Sequence, residues 1–406
     1  MIPVEEKALT SKRSNYGSTL IERLLSSDEH RWSTLPKPQL FMSLQPRLAI
    51  PLSLVSGLLL APSLEAAPIA DSLTKGFVIP PDSARPQTLW HWTDGNMTRQ
   101  AVTSDLEAMK QGGLGGAEIF FASQEIPVGP LRFMTPEWLD MVGFAASEAK
   151  RLGLDLSIHN CAGWTTSGGP WIKPDQAMQK VTTSEVKVTG PVRFEAQLPA
   201  AETKLDTFRE IAVLAFPSTS DFRIPNYRPK ASYQFQDNVE PATGPEAPGG
   251  AAIDASKIID LTAQSRNGKL AWDVPAGDWT ILRIGYTPTG AHNDPPYTGG
   301  IGLEVDKLSK SALDAHWDGM VGPVLRKLKS LPTKPTTNIH LDSYEVGYQN
   351  WTAAFPTEFK KRRGYDPTPY LPVFTGRVVG TTALSERFLW DVRRTIADVM
   401  TDNFYL

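Results

Sequence analysis

Hydrophobic and polar positions alternate in two regimes along this chain. From about residue 82 short apolar runs alternate with amphipathic stretches. Thr88–Trp92 is an apolar-aromatic run closed by the turn signal Thr93-Asp94-Gly95-Asn96. Thr98–Gln111 then places Val102, Leu106 and Met109 at helical spacing, with Thr98 as cap and Gly112-Gly113 as stop. Gly116–Phe121 reads as a buried strand. Thr135-Pro136-Glu137 opens a helix with a capping threonine and a proline in the first turn, and Gly153 ends it. Leu154–Ile158 is a third strand and runs into His159-Asn160-Cys161. Strand, helix, strand, helix, strand is the order of parallel βα units.

The period changes after about Val181. The runs Val186–Phe194, Glu210–Phe216, Lys257–Leu261, Lys269–Val274 and Trp279–Tyr286 are short and alternating, and turn signals such as Pro275-Ala276-Gly277-Asp278 fall between them. This block predicts an inserted antiparallel, β-sandwich-like domain over 181–290. The helical period returns in Ser311–Leu331, a strand follows at Asn338–Leu341, and helices are expected at Thr357–Arg363 and Ser385–Tyr405. Residues 82–180 and 291–406 together predict an α/β architecture. It is a partial (β/α)8 TIM-like barrel interrupted by the insertion, with the carboxyl-terminal part of the barrel expected beyond the chain.

The amino-terminal end has a different texture. Met42–Arg47 is a short basic start, Leu48–Pro62 an apolar run of about 15 residues, and Ser63–Ala67 a small-residue site, the layout of a secretory signal peptide. That run is too short for a comfortable membrane span. A signal peptide over 42–67, starting near Met42, predicts a secreted or periplasmic protein, with 1–41 a gene-model extension or leader. Charge adds an exclusion: 41 basic against 44 acidic residues gives −3, with no basic block for nucleic acid. A single cysteine, Cys161, excludes an intrachain disulfide and a thiolate cluster; it reads as a packed thiol. Eleven tryptophans lean toward a sugar-binding surface.

In a barrel of this class the working residues stand at the carboxyl ends of strands. That rule selects His91, Trp92 and Asp94 after the first strand, Glu118 in the second, His159, Asn160 and Trp164 at the third, and Asp342, Tyr344 and Glu345 at the fourth. Carboxylates move protons, histidine and asparagine bond hydroxyls, and aromatic faces stack on sugar rings. Glu345 is the candidate general acid of a glycosidase. Asp342, His91, Trp92, Asp94, Glu118, His159, Asn160 and Trp164 are candidate substrate contacts. No His-Glu-x-x-His, P-loop or Gly-x-Ser-x-Gly frame occurs. A non-catalytic carbohydrate-binding protein, or a barrel glycosidase of other sugar specificity, fits the same residues.

Five segments in order resemble the α-L-rhamnosidases of glycoside hydrolase family 106. They are Leu89–Thr98, Asp105–Lys110 with Gly115–Phe120, Pro136–Leu139, His159–Trp164 with Gly168–Ile172, and Asp342–Gly347 with Trp351 and Lys360–Tyr365 behind it. The resemblance covers about residue 84 to the end. It implies a (β/α)8 barrel with β-sandwich insertions and hydrolysis of terminal α-L-rhamnose from polysaccharides or glycosides with inversion. It also implies Glu345 as general acid, a second glutamate downstream of this chain as general base, and a calcium ion with ligands it does not assign. If that base is elsewhere, Glu304 and Asp306 are the next carboxylates to consider.

Overall fold

A computed structural model describes residues 69–405 apart from 124, 233–243, 296, 334, 336 and 344. The leader and signal-peptide readings over 1–41 and 42–67 therefore lie outside the described residues, as does Tyr344. After a helix α1 (Ile69–Val78) comes a βα series: β1 (Gln87–His91), α2 (Arg99–Gln111), β2 (Gly116–Phe121), α3 (Pro136–Leu152) and β3 (Asp155–Ala162). The caps are those expected. Thr98 Oγ1 accepts from the Ala101 amide, and Thr135 Oγ1 from that of Trp138. Gly153 ends α3 in the left-handed region at φ +65°, where a side chain would be strained.

The antiparallel strands follow: β4 (Gln179–Gln197), β5 (Arg209–Pro217), a single-turn α4 (Tyr227–Lys230), then β6 (Ala252–Ile253), β7 (Ile259–Asp260), β8 (Ser265–Arg266) and β9 (Lys269–Pro288). Helix α5 (Lys310–His316), a π-helical stretch Trp317–Val321 and α6 (Gly322–Ser330) lead to β10 (Thr337–His340). The expected single helix over 311–331 is interrupted where Pro323 brings no amide hydrogen to the i−4 carbonyl. Helix α7 (Phe355–Arg363), β11 (Val378–Val379) and the long α8 (Thr382–Tyr405) complete the chain.

Strands β1, β2, β3 and β10 form one wholly parallel sheet in that order. Its residues divide by parity. Trp90, Ala117, Ile119, Phe121, Leu156 and Ile158 enter a core with Val102 and Leu106 of α2, Trp138 and Val142 of α3, and Val324 and Leu328 of α6. Leu89, Glu118, Phe120, His159 and His340 take the opposite face, on which Leu89 is 51% exposed. Parallel sheets ordinarily bury both faces. The second face here is polar and partly open.

The second sheet has the order β4–β9–β5–β7 and is antiparallel. The turn expected at Pro275–Asp278 does not end a strand: β9 runs unbroken through it, paired with β4 from Gln179 to Gln197. The register slips between Gly190 and Val192, so that Pro275 and Ala276 oppose Pro191 alone. Trp272 and Trp279 have ring centroids 5.5 Å apart, whereas seven residues of straight strand span about 23 Å. The ribbon is bent sharply there and lays its outer half over Val213, Ala215 and Ile281. The other face packs Leu214, Phe216, Leu282 and Ile284 against Phe355, Phe359, Phe388, Val392 and Ile396. The segment after β10 thus buries its apolar residues on the antiparallel sheet, a contact that sequence periodicity did not foresee.

Candidate active site

Side chains at the carboxyl ends of the parallel strands meet on the open face. β1 ends at His91, β2 carries Glu118 and Phe120, β3 carries His159, and β10 ends at His340. His340 pairs with His159 in register and so points the same way. Its Nδ1 stands 2.7 Å from Glu118 Oε1. Phe120 stacks on His159 with centroids 4.6 Å apart and lies 5.8 Å from the His91 ring. The Trp164 ring is 6.0 Å from His91 and is 44% exposed, so it has a face to offer a sugar. Asp342, just past β10, places Oδ2 3.9 Å from His159 Nε2.

The electrostatics separate these groups. Burial raises the Glu118 carboxyl, Asp342 raises it further, and His340 opposes both. Burial pushes the His159 imidazole down to about 4, against the pull of Asp342 and the carbonyls of Cys161 and Thr165. His159 is therefore neutral at pH 7, and its Nδ1 lies 2.7 Å from the Cys161 carbonyl. A carbonyl only accepts, so Nδ1 carries the hydrogen and Nε2 is a bare acceptor.

The loop after β10 is clasped from β3. Thr166 Oγ1 lies 2.9 Å from the carbonyl oxygens of both Asp342 and Ser343. Thr166 is itself held: Asn160 Nδ2 donates to its carbonyl at 2.7 Å, and His316 Nε2 lies 2.9 Å from the Asn160 carbonyl. Trp171 Nε1 and the Gly168 amide donate to the other His316 nitrogen, so Nε2 is the protonated one. Ser343 Oγ donates to Glu345 Oε1 at 2.9 Å. Glu345 is exposed.

Other expected contacts lie elsewhere. Trp92 is fully buried between Trp90 and Phe121 and cannot stack on a sugar. Asp94 is 2% exposed, and its two oxygens accept from the Thr298 amide and hydroxyl, which pins a loop. Asn160 faces away from His159 and spends its amide on Thr166. Glu304 is buried in an ion pair with Lys307 at 2.6 Å. Asp306 is held by Gln349, Thr352 and the Leu308 amide, with burial pushing it up to about 6. Cys161 is buried, and burial pushes its thiol up. His340, Phe120, Thr166 and Ser343 are site residues that sequence reasoning missed. Parity with His159 signalled His340; nothing in the sequence signalled Thr166.

Calcium binds six to eight oxygen ligands. Among the described residues no group of three or more histidine, cysteine, aspartate or glutamate side chains is placed to hold a metal ion. Glu118 and Asp342 stand among imidazoles, so these residues do not fit the expected calcium and no step is derived through it. No described helix is long and apolar enough to cross a membrane.

Over 341 residues the chain is 46% identical to a protein of Formosa agariphila that carries the provisional name beta-glucuronidase, covering 83% of this chain and 29% of that one. It superposes on the structure of a rhamnosidase from Novosphingobium sp. PP1Y with a TM-score of 0.70 and 27% identity, over 82% of this chain and 45% of that one. The chain thus spans less than half the length of either. The sequence model of glycoside hydrolase family 106, described as alpha-L-rhamnosidase, matches residues 78–221 and 215–406, and the chain belongs to that family.

Proposed function

We propose that this chain carries the acid side of an inverting glycoside hydrolase that removes terminal α-L-rhamnose from polysaccharides or glycosides. In this reading the parallel sheet is part of a (β/α)8 barrel whose open face lines the sugar site. The observation that carries it is the convergence of Glu118, His159, His340 and Asp342 on that one face, with Trp164 beside them. Glu345 donates a proton to the glycosidic oxygen, and the expected base is a second glutamate outside these residues. Inversion needs the two carboxyls roughly 6.5–9.5 Å apart with a water between them. Glu345 is exposed in the free chain, and a docked sugar would cover it. Trp164 offers a ring to the apolar face of the sugar.

The Formosa relative's name raises β-glucuronide hydrolysis as a second reading. The strand-end groups favour a neutral sugar. They include the carboxylates Glu118, Asp342 and Glu345 and no lysine or arginine, and a glucuronate would bring like charge to them.

The test is hydrolysis of aryl α-L-rhamnoside and aryl β-D-glucuronide by this chain, alone and as part of a protein of its relatives' length, with the anomer followed by NMR. Rhamnoside turnover with inversion, lowered about 10²–10⁴-fold in Glu345→Gln, is the expected result. Turnover of the glucuronide alone would move the reading to the second sugar. Unchanged turnover in Glu345→Gln would remove that residue as the acid.

A further inference from the structure

The buried imidazole at the floor of the site has an acceptor with no donor. His159 Nε2 has no hydrogen-bond partner among the described residues. Its side chain is fully buried, and Phe120 covers one face of the ring. The Asp342 carboxylate stands beside it, with Oδ2 at 3.9 Å. An ionised carboxylate has no hydrogen to give. Two acceptors therefore face each other, and a buried acceptor left unmade costs roughly 1–3 kcal/mol. That cost persists in a folded protein when the site is arranged for something that brings hydrogens.

The geometry points to His159 Nε2 and the Asp342 carboxylate as a paired-acceptor clamp for two adjacent hydroxyls of the bound sugar. One hydroxyl holds a single hydrogen and can satisfy only one of the two atoms. A vicinal diol brings two, on neighbouring carbons, and each goes to its own acceptor. Asp342 is the solvent-side half. Its side chain is 22% exposed on the loop after β10, with Oδ1 held by the Ser343 amide at 2.7 Å and Oδ2 left for the ligand. His159 is the fixed half, held by the Cys161 carbonyl on one ring nitrogen and by Phe120 on its face. The clamp selects a polyol over a charged group, because a ligand carboxylate would be a third acceptor. It also sets a pH limit. Protonation of His159 turns Nε2 into a donor that closes onto Asp342. The groups that face it are Asp342, His340 and the carbonyls of Cys161 and Thr165.

This inference rests on the sugar-site reading above and specifies which atoms hold the sugar. The experiment is ¹⁵N NMR of the histidine side chains in the 406-residue chain at pH 7, with and without L-rhamnose, in the wild type and in Asp342→Asn. The expected spectrum of the free protein shows His159 as the Nδ1–H tautomer with a bare Nε2. Added rhamnose shifts the Nε2 resonance in the direction of a new hydrogen bond, and L-rhamnose lacking one hydroxyl of the clamped diol does not. In Asp342→Asn the new amide supplies the missing donor. Thermal stability then holds or rises, while rhamnose affinity falls at least tenfold. A free protein in the Nε2–H tautomer would overturn the clamp. So would rhamnose binding or hydrolysis that leaves Nε2 unmoved, with the rhamnosidase reading intact. A shift of Nε2 by glucose or another neutral polyol, with none by rhamnose, would keep the clamp and refute the rhamnose reading. No shift by any of these polyols at saturating concentration would overturn the clamp.

Discussion

Thr166 joins the third strand's loop to the loop of the proposed acid. Its hydroxyl has one hydrogen and two carbonyl oxygens at 2.9 Å, so the hydrogen is shared between Asp342 and Ser343. Thr166→Val keeps the shape and removes that donor. The cost expected is about 1 kcal/mol, with a larger local effect. Amides of 341–348 should exchange faster with solvent, while those of β2 and β3 stay as they were. Thr166→Ser restores the hydroxyl and should restore the protection. Hydrogen exchange by mass spectrometry reads this directly, and unchanged exchange in the valine variant would show that the clasp holds nothing. The same scale explains which site residues the sequence revealed. Glu118 and His159 are legible because strand ends carry function in parallel βα units and because one face of each strand is visibly polar. Asn160 misleads because successive strand residues point to opposite faces, so a neighbour of a site residue is turned away from the site. Trp92 misleads because a tryptophan beyond a strand end reads alike in a core and on a rim. Thr166 makes its bond to a carbonyl 176 residues away, and local pattern carries no trace of such a pairing.

The two-stranded ribbon β4–β9 is the element that local reading most misjudged. Pro275-Ala276-Gly277-Asp278 has turn composition, and a turn was a sound expectation. The structure uses those residues to bend a paired strand instead of ending it. The reason is tertiary: the outer half of the ribbon has Trp272 and Val274 to bury, and bending returns them to the sheet. Gly190 sits opposite the bend. A Cβ there would stand 2.0 Å from the Pro275 carbonyl oxygen and 2.8 Å from that of Val274. Those are backbone atoms of the paired strand and cannot turn aside as a flexible side chain would. Gly190→Ala should therefore destabilise by about 1–3 kcal/mol through forced separation of the two strands. Chemical denaturation of the variant measures the loss, and near-ultraviolet circular dichroism should report a weakened Trp272–Trp279 pair. The open bend at Gly277 is the control, since nothing lies within 4 Å of a Cβ there, although its φ of +105° strains any side chain. By contrast the βα series was legible in its order, caps and helix stops, although β3 runs to Ala162, past the expected end at Ile158. Its caps, stops and apolar periods are all local, and they agree with one another.

For the molecule as a whole, buried ionisable groups set its response to acid. His159 and His316 are both buried, and burial pushes each imidazole down to about 4. In the unfolded chain each titrates near 6.5. The unfolded state therefore takes up two protons as pH falls from 6.5 to 4, and the folded state refuses them. Each histidine contributes stability that is complete above 6.5 and lost across that window, by about 3 kcal/mol. Asp306 works in the other direction. Burial pushes it up to about 6, so the folded state protonates first as pH falls, and about 3 kcal/mol returns between 6 and 4. Glu118, whose carboxyl burial also raises, adds to the aspartate's side, and the two histidines set the direction, a net loss of stability on acidification. Urea unfolding at pH 7.0, 5.5 and 4.5 should show the midpoint falling at each step. The first response should be in the loop after β3, because the acid proton goes to His316 Nδ1, which accepts from the Gly168 amide and Trp171 Nε1. His316→Gln removes one titrating group while its amide can still donate to the Asn160 carbonyl. It should flatten the acid slope by about half of the histidine contribution. A wild-type midpoint that holds or rises from pH 6.5 to 4.5 would mean that the two imidazoles are not kept neutral. The bare acceptor that the sugar clamp needs would then be lost with them.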